Sequence, residues 1–186
     1  MRKGWFKMPG KQDGDRTIEQ QMKGLDRALL EMDGAKVLDL GCAEGLVGLE
    51  CAKRNAKVVY GFEVVDEHVH VANTLHANLH AVCLDLNDKA GVRSELAKVG
   101  KVHVCLMLAI LHKLREPGHV VDKVLDINSP ELIVIRTAER SPGFVYDERS
   151  NFKKYEFQPR LAKAGYTMEH TCFGPKNEWM GYFRKG

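Results

Sequence analysis

The chain lacks the long apolar run that a membrane span needs. No stretch of its 186 residues approaches the roughly 20 consecutive apolar positions required to cross a bilayer. Arg2, Lys3 and Lys7 stand near the start with no apolar segment behind them, so a secretory signal is not expected. Paired cysteines are also missing. Cys42, Cys51, Cys83, Cys105 and Cys172 are odd in number and scattered, with no C-x-x-C, which argues against a disulfide framework or a zinc site and for a reducing, cytoplasmic setting. The eight histidines include no H-E-x-x-H, so no metal is expected; His68 and His70, two apart, diverge on a helix. Strong charge bias is absent as well. A formal charge of +3 is far from that of a dedicated nucleic-acid binder and leaves the partner class open.

What is present is a repeating pattern. The first stretch, 1–15, reads as an irregular arm, with Trp5 and Phe6 as docking residues. Residues 16–33 read as a helix, because Ile18, Met22, Leu25, Leu29 and Met32 recur at spacings of three and four, with Gly34 to end it. Short apolar runs then alternate with helical stretches. Strands are expected at 36–40, 57–62, 81–84, 102–108 and 132–136, and helices at 46–55, 67–75, 89–98 and 117–125. Such alternation implies βαβ units and a parallel sheet covered on both faces. The end differs: a helix at 151–164 containing Pro159, then strands at 166–173 and 178–184 joined by Gly174-Pro175-Lys176-Asn177. So short a link makes those two strands antiparallel. The expected fold is therefore α/β, a single domain over 1–186, doubly wound, with a mostly parallel seven-stranded sheet ending in an antiparallel hairpin.

The most informative segment is Val37-Leu38-Asp39-Leu40-Gly41-Cys42-Ala43-Glu44-Gly45, an apolar strand running into a glycine turn and a helix. Ligands of open α/β sheets bind beyond the carboxyl ends of the strands. The spacing here is D-x-G-x-x-x-G, not the three-glycine G-x-G-x-x-G of dinucleotide folds. A carboxylate suits a cationic or hydrogen-bond-donating ligand better than a phosphate.

This segment closely resembles motif I of the class I S-adenosylmethionine (SAM)-dependent methyltransferases. The resemblance extends over roughly residues 17–185. It implies that Asp39 lies near the methionyl part of SAM, with Gly41, Cys42, Ala43 and Gly45 forming the floor. It further implies that Glu63, ending the second strand, accepts hydrogen bonds from both ribose hydroxyls, and that Val64 or Val65 packs on the adenine. Asp85 has two readings: acceptor for the adenine amino group, with the Leu86 N–H beside it, or a cap for the next helix. Leu108 ends the fourth strand next to the cofactor. The stretch Met107-Leu108-Ala109-Ile110-Leu111-His112-Lys113-Leu114 is similar to a common family segment with two departures, His103 in place of an early acid and Lys113 in place of a second histidine. His112 also has two readings, a locally satisfied helix-start residue or a catalytic group.

The expected activity is methyl transfer to O or N of a small or medium-sized acceptor. An RNA methyltransferase and a non-catalytic SAM-binding regulator are the alternatives. His112, Arg136, Glu139 and Arg140 are candidate acceptor-side residues; Arg140, Arg149, Lys153 and Lys154 lie in the next segment, where arginines suit a carboxylate or phosphate, and Trp5, Phe6, Arg16 and Gln20 are candidates for a lid over the cofactor. Replacing Asp39 by Ala or Gly41 by Val is expected to abolish SAM binding without unfolding the chain.

Overall fold

Residues 4–6, 14–137, 154–175 and 178–186 are described in a computed structural model of the chain. Seven strands form one sheet: β3 (Lys36–Leu40), β4 (Val58–Glu63), β5 (Leu79–Cys83), β6 (Val104–Leu108), β7 (Leu132–Arg136), β8 (Tyr166–Phe173) and β9 (Trp179–Lys185). Their order is β5-β4-β3-β6-β7-β9-β8. The first five are mutually parallel; β9 runs antiparallel to both β7 and β8. The doubly wound sheet with its closing hairpin is the expected architecture.

Side-chain alternation explains why the central strands are apolar on both faces. Leu38, Leu40, Cys105, Met107, Ile133 and Ile135 enter one core cluster. Their neighbours Val37, Val104, Leu106, Leu132 and Val134 enter the other. Period-two alternation sends successive residues to opposite faces, and here each face is covered. The connecting helices are α3 (Leu46–Lys53), α4 (Asp66–Leu75), α5 (Lys89–Val99) and α6 (Pro117–Lys123), the last with Pro at its first position. Asp88 caps α5 by accepting from the Ala90 N–H at 3.1 Å. After α6 the chain widens into a single π turn, Val124–Asn128. There the Asn128 amide donates to Leu96 O and Gly100 O, tying down the last carbonyls of α5. Helix α7 (Lys154–Lys163) runs through Pro159 without interruption.

The N-terminal region departs from expectation. The stretch read as an irregular arm contains two short strands, β1 (Gly4–Phe6) and β2 (Gly14–Arg16), which pair in parallel apart from the main sheet. The single helix expected over 16–33 is two, α1 (Ile18–Met22) and α2 (Asp26–Leu29). Gly24 separates them at φ +82, a conformation that breaks a helix. An added Cβ there would sit 3.0 Å from Met180 Sδ and 3.2 Å from Cys172 Sγ, so the break lets β8 and β9 approach the backbone. The Tyr182 hydroxyl donates to the Gly24 carbonyl, which the break frees. Thr17 starts α1 with a full capping box, its hydroxyl accepting from Gln20 N–H while Gln20 Oε1 accepts from Thr17 N–H. Gln20 is thus engaged locally, and the side chains of Trp5, Phe6 and Arg16 lie outside the described residues.

Candidate functional site

Parallel pairing brings the carboxyl ends of β3, β4, β5, β6 and β7 to one edge. Asp39 stands opposite Gly61 on one side and Leu106 on the other, Glu63 opposite Cys83, and Leu108 opposite Arg136. The edge therefore gathers Asp39, Glu63, Leu108 and Arg136, with the turn 41–45 between the first two.

The turn itself is internally bonded. Gly41 N–H and Cys42 N–H both donate to Phe62 O, Gly45 N–H donates to Cys42 O, and Ala43 N–H donates to Glu63 Oε2 at 3.1 Å. Gly41, Ala43 and Gly45 all have positive φ, at +76, +48 and +79. The neighbours that an added Cβ would meet at Gly41 and Gly45 belong to this chain. A Cβ on Gly41 would lie 2.9 Å from the Ile110 side chain, and one on Gly45 would lie 2.8 Å from the Ala72 Cβ and 2.9 Å from Leu79. Gly41→Val therefore sets a β-branched side chain at positive φ against Ile110, and unaltered folding is no longer expected for it. Gly45→Ala is expected to cost about 2–4 kcal/mol, read as a drop in the denaturant midpoint, because strain at positive φ adds to overpacking against α4. Cys42 turns its thiol under the sheet beside Gly61, where a Cβ would meet its Sγ at 2.6 Å. Burial pushes the thiol well above its ordinary range, so it supplies backbone geometry and no nucleophile.

Two carboxylates remain. Asp39 is 2% exposed, and none of the hydrogen bonds among the described residues reaches its carboxyl oxygens. Burial raises its pKa to about 7; the buried Arg136 pulls it down and Glu63 pushes it up, both less strongly. Glu63 differs. Its Oε1 accepts from Val64 N–H (2.9 Å) and Val65 N–H (3.0 Å) in addition to the Ala43 bond on Oε2. Three of the roughly four acceptor positions of a carboxylate are filled, which leaves Oε2 as the oxygen with capacity for a further donor. Behind it lies a pair that the sequence did not reveal. His68 Nε2 sits 3.4 Å from Glu44 Oε1, and His68 Nδ1 sits 4.0 Å from Glu63 Oε1, all three residues largely buried. Val64, 59% exposed, stands next to Glu63 at the rim.

Asp85 is exposed. Its Oδ1 accepts from the Asn87 N–H (2.8 Å) and side-chain amide (2.9 Å), a local turn, and the helix cap is Asp88 three residues on. Leu86 and Leu108 are buried in the core clusters on either face of the sheet. His112 lies on a 3₁₀ turn, Leu111–Lys113, just beyond β6. Burial lowers its pKa to about 4; Lys113 lowers it further and Glu178 opposes, so the imidazole is neutral near pH 7. Its Nδ1 is buried without a hydrogen-bond partner. His103, the residue replacing an acid, faces the opposite edge, where its Nδ1 accepts from Lys36 N–H at 2.9 Å.

Arg136 corrects an expectation. It is 1% exposed, its Nε lies 3.2 Å from Glu178 Oε2, and its Nη1 donates to Gln21 O at 3.0 Å. The guanidinium is thus a buried strut between β7, α1 and the start of β9, and it is not presented to an acceptor. Glu139, Arg140, Arg149 and Lys153, and the side chain of Lys154, lie outside the described residues.

No protein-family model and no curated protein sequence matches the chain. Solved structures do. Magnesium protoporphyrin IX methyltransferase from Synechocystis PCC 6803, with SAM bound, is 16% identical at a TM-score of 0.65, over 91% of this chain and 80% of that one. A SAM-dependent methyltransferase from Aquifex aeolicus is 18% identical at 0.61, over 89% and 91%. Another, from Mesorhizobium loti, is 16% identical at 0.65, over 86% and 95%. In strand order, direction and extent, this chain has the fold of the class I SAM-dependent methyltransferases.

Proposed function

We propose that the chain binds SAM at the carboxyl edge of its sheet and transfers the methyl group to an oxygen or nitrogen of a small or medium-sized acceptor. The observation that carries this reading is the Asp39 carboxyl group, set near the end of the first main-sheet strand in a residue that is 2% exposed, and reached by no hydrogen bond among the described residues. A buried acid in that state calls for a cation or a donor, and SAM brings an ammonium and a sulfonium. The donor set fits in other respects. Glu63 Oε2 has room for a ribose hydroxyl, Val64 offers exposed apolar surface for a base, and Asp85 lies at the neighbouring strand end. Gly41, Cys42, Ala43 and Gly45 shape the turn that holds Asp39 and Glu63 apart, while Leu86 and Leu108 support it from the core. The cofactor's contribution is an electrophilic methyl on a leaving group that departs neutral.

The protein's share of such a displacement is alignment. His112, with a pKa near 4, is a weak base; it accepts a hydrogen bond from an acceptor and orients it. His112→Gln is therefore expected to lower kcat by less than about tenfold, whereas loss of a true general base costs about 10²–10⁴. A steeper loss, with a pH profile breaking near neutrality, would assign proton abstraction to His112.

An RNA acceptor is the second reading. The face of α5 and α6 that carries Lys89, Arg93, His119 and Lys123 supports it, with Lys89 already paired to Glu116 (2.8 Å) and Lys123 to Asp126 (3.5 Å). Calorimetry with SAM and S-adenosylhomocysteine, followed by transfer of labelled methyl into a cell extract split into small-molecule, RNA and protein fractions, separates the readings. Label among the small molecules supports the first, label in RNA the second, and tight binding with no transfer a regulatory SAM-binding protein. No binding refutes all three. No helix among the described residues is long and apolar enough to cross a membrane, and the five free cysteines fit a reducing, cytoplasmic location.

A further inference from the structure

Asp39 holds a position that the alignment role leaves unexplained. Asp39 is 2% exposed, and no hydrogen bond among the described residues reaches its carboxyl group, which makes the ionised form costly. The groups around it offer little relief. Glu63 on β4 is another acid; the thiols of Cys42, Cys51 on α3 and Cys105 on β6 are neutral, all three raised by burial. Arg136 on β7 is the cation that faces it and lowers its pKa by less than burial raises it, and Glu178 before β9 lies against that guanidinium at 3.2 Å. Behind Glu63, Glu44 and His68 face each other.

We infer that Asp39 carries a proton in the free protein below neutral pH and releases it to solvent when a cationic ligand enters the site, so that SAM binding there is coupled to proton release. This rests on the reading of the site as a SAM pocket. An entering cation supplies the counter-charge that the fold withholds, and the carboxyl group then ionises against it. Affinity for SAM accordingly falls as pH drops below neutrality. With a free-protein pKa near 7, the fall between pH 8 and pH 5.5 is about 30-fold for one fully coupled proton.

The test is calorimetry of the full chain with SAM at pH 6.5 in buffers of different ionisation enthalpy. The apparent enthalpy should depend on the buffer and report release of more than half a proton per SAM, declining towards zero by pH 8.5. S-adenosylhomocysteine, which keeps the ammonium and lacks the sulfonium, identifies the displacing cation. Release with both ligands assigns it to the ammonium, and release with SAM alone to the sulfonium; both results uphold the coupling. NMR of the free protein labelled at aspartate carboxyl carbons provides a second reading, in which one carboxyl titrates near neutrality and its signal is absent from Asp39→Asn. Equal enthalpies in every buffer, together with an affinity that is flat from pH 5.5 to 8, would overturn the inference while leaving the SAM site standing. Failure to bind at any pH would overturn both.

Discussion

Replacing Arg136 with methionine is expected to destabilise the folded chain by about 3–5 kcal/mol, the usual consequence of breaking a buried ion pair by removing one partner. The guanidinium is 1% exposed and held between Glu178 and the Gln21 carbonyl, linking β7, α1 and the start of β9. Gly174 packs directly on its aliphatic stem, an added Cβ there falling 2.8 Å from Arg136 Cδ. Removing the cation takes from Glu178, itself 2% exposed, its 3.2 Å contact with the guanidinium. Replacing both, as Arg136→Met with Glu178→Leu, should return most of the loss, because two uncharged side chains carry no comparable desolvation cost. A denaturant series on the two single variants and the double variant checks this, the coupling energy being the quantity of interest. Additive losses would mean that the pair does not act as a unit. In the single variant SAM affinity should fall as well, since the field that helps Asp39 ionise disappears.

Asp39→Asn is expected to have the opposite effect on stability. The folded-state pKa of Asp39 is raised to about 7 from an ordinary value of 3.8. The folded chain therefore holds the extra proton, and the associated stability is fully present below about pH 4 and lost as pH rises through 7. Asparagine carries no such penalty. At pH 8 the variant should be more stable than the parent by about 1–3 kcal/mol, less than the roughly 4 kcal/mol that three pKa units represent, because the new amide is itself buried without a partner. At pH 4 the gain should vanish. The same substitution should weaken SAM binding by at least about 100-fold, since a neutral amide offers no counter-charge to a cation. Unfolding midpoints against pH, with calorimetric titration of SAM into both proteins, test the two halves separately. A variant less stable than the parent at pH 8 would show that the carboxylate is well accommodated.

The two expectations share a cause. A site that must receive a cation is built with uncompensated negative charge, and that charge is a cost to the unoccupied fold. Arg136 limits the cost, and burial outweighs it.

Much of the architecture was legible because it rests on local rules. Strands 36–40 and 132–136 lie where their apolar runs begin and end, since a strand buried on both faces has few other compositions open to it. The N-terminal helix was misjudged for a reason of the same kind. Its apolar stripe is real, and Leu25, Leu29 and Met32 do enter the core, but Gly24 adopts a conformation that the spacing of the stripe does not register.

The site divides differently. Sequence by itself determined that an aspartate ends the first main-sheet strand, that a glycine turn follows, and that an acid ends the second, because those features are contiguous in the chain and read from local pattern. Tertiary structure alone decided what each group is free to do. It brought the Ala43 N–H to Glu63, set Glu44 against His68, and turned the glycines towards Ile110, Ala72 and Leu79. It also joined Arg136 to a glutamate from the far end of the chain, leaving Asp39 without a hydrogen bond. Hydrogen bonding, burial and charge pairing depend on which segments meet in space, and residue spacing along one strand carries no record of its neighbours.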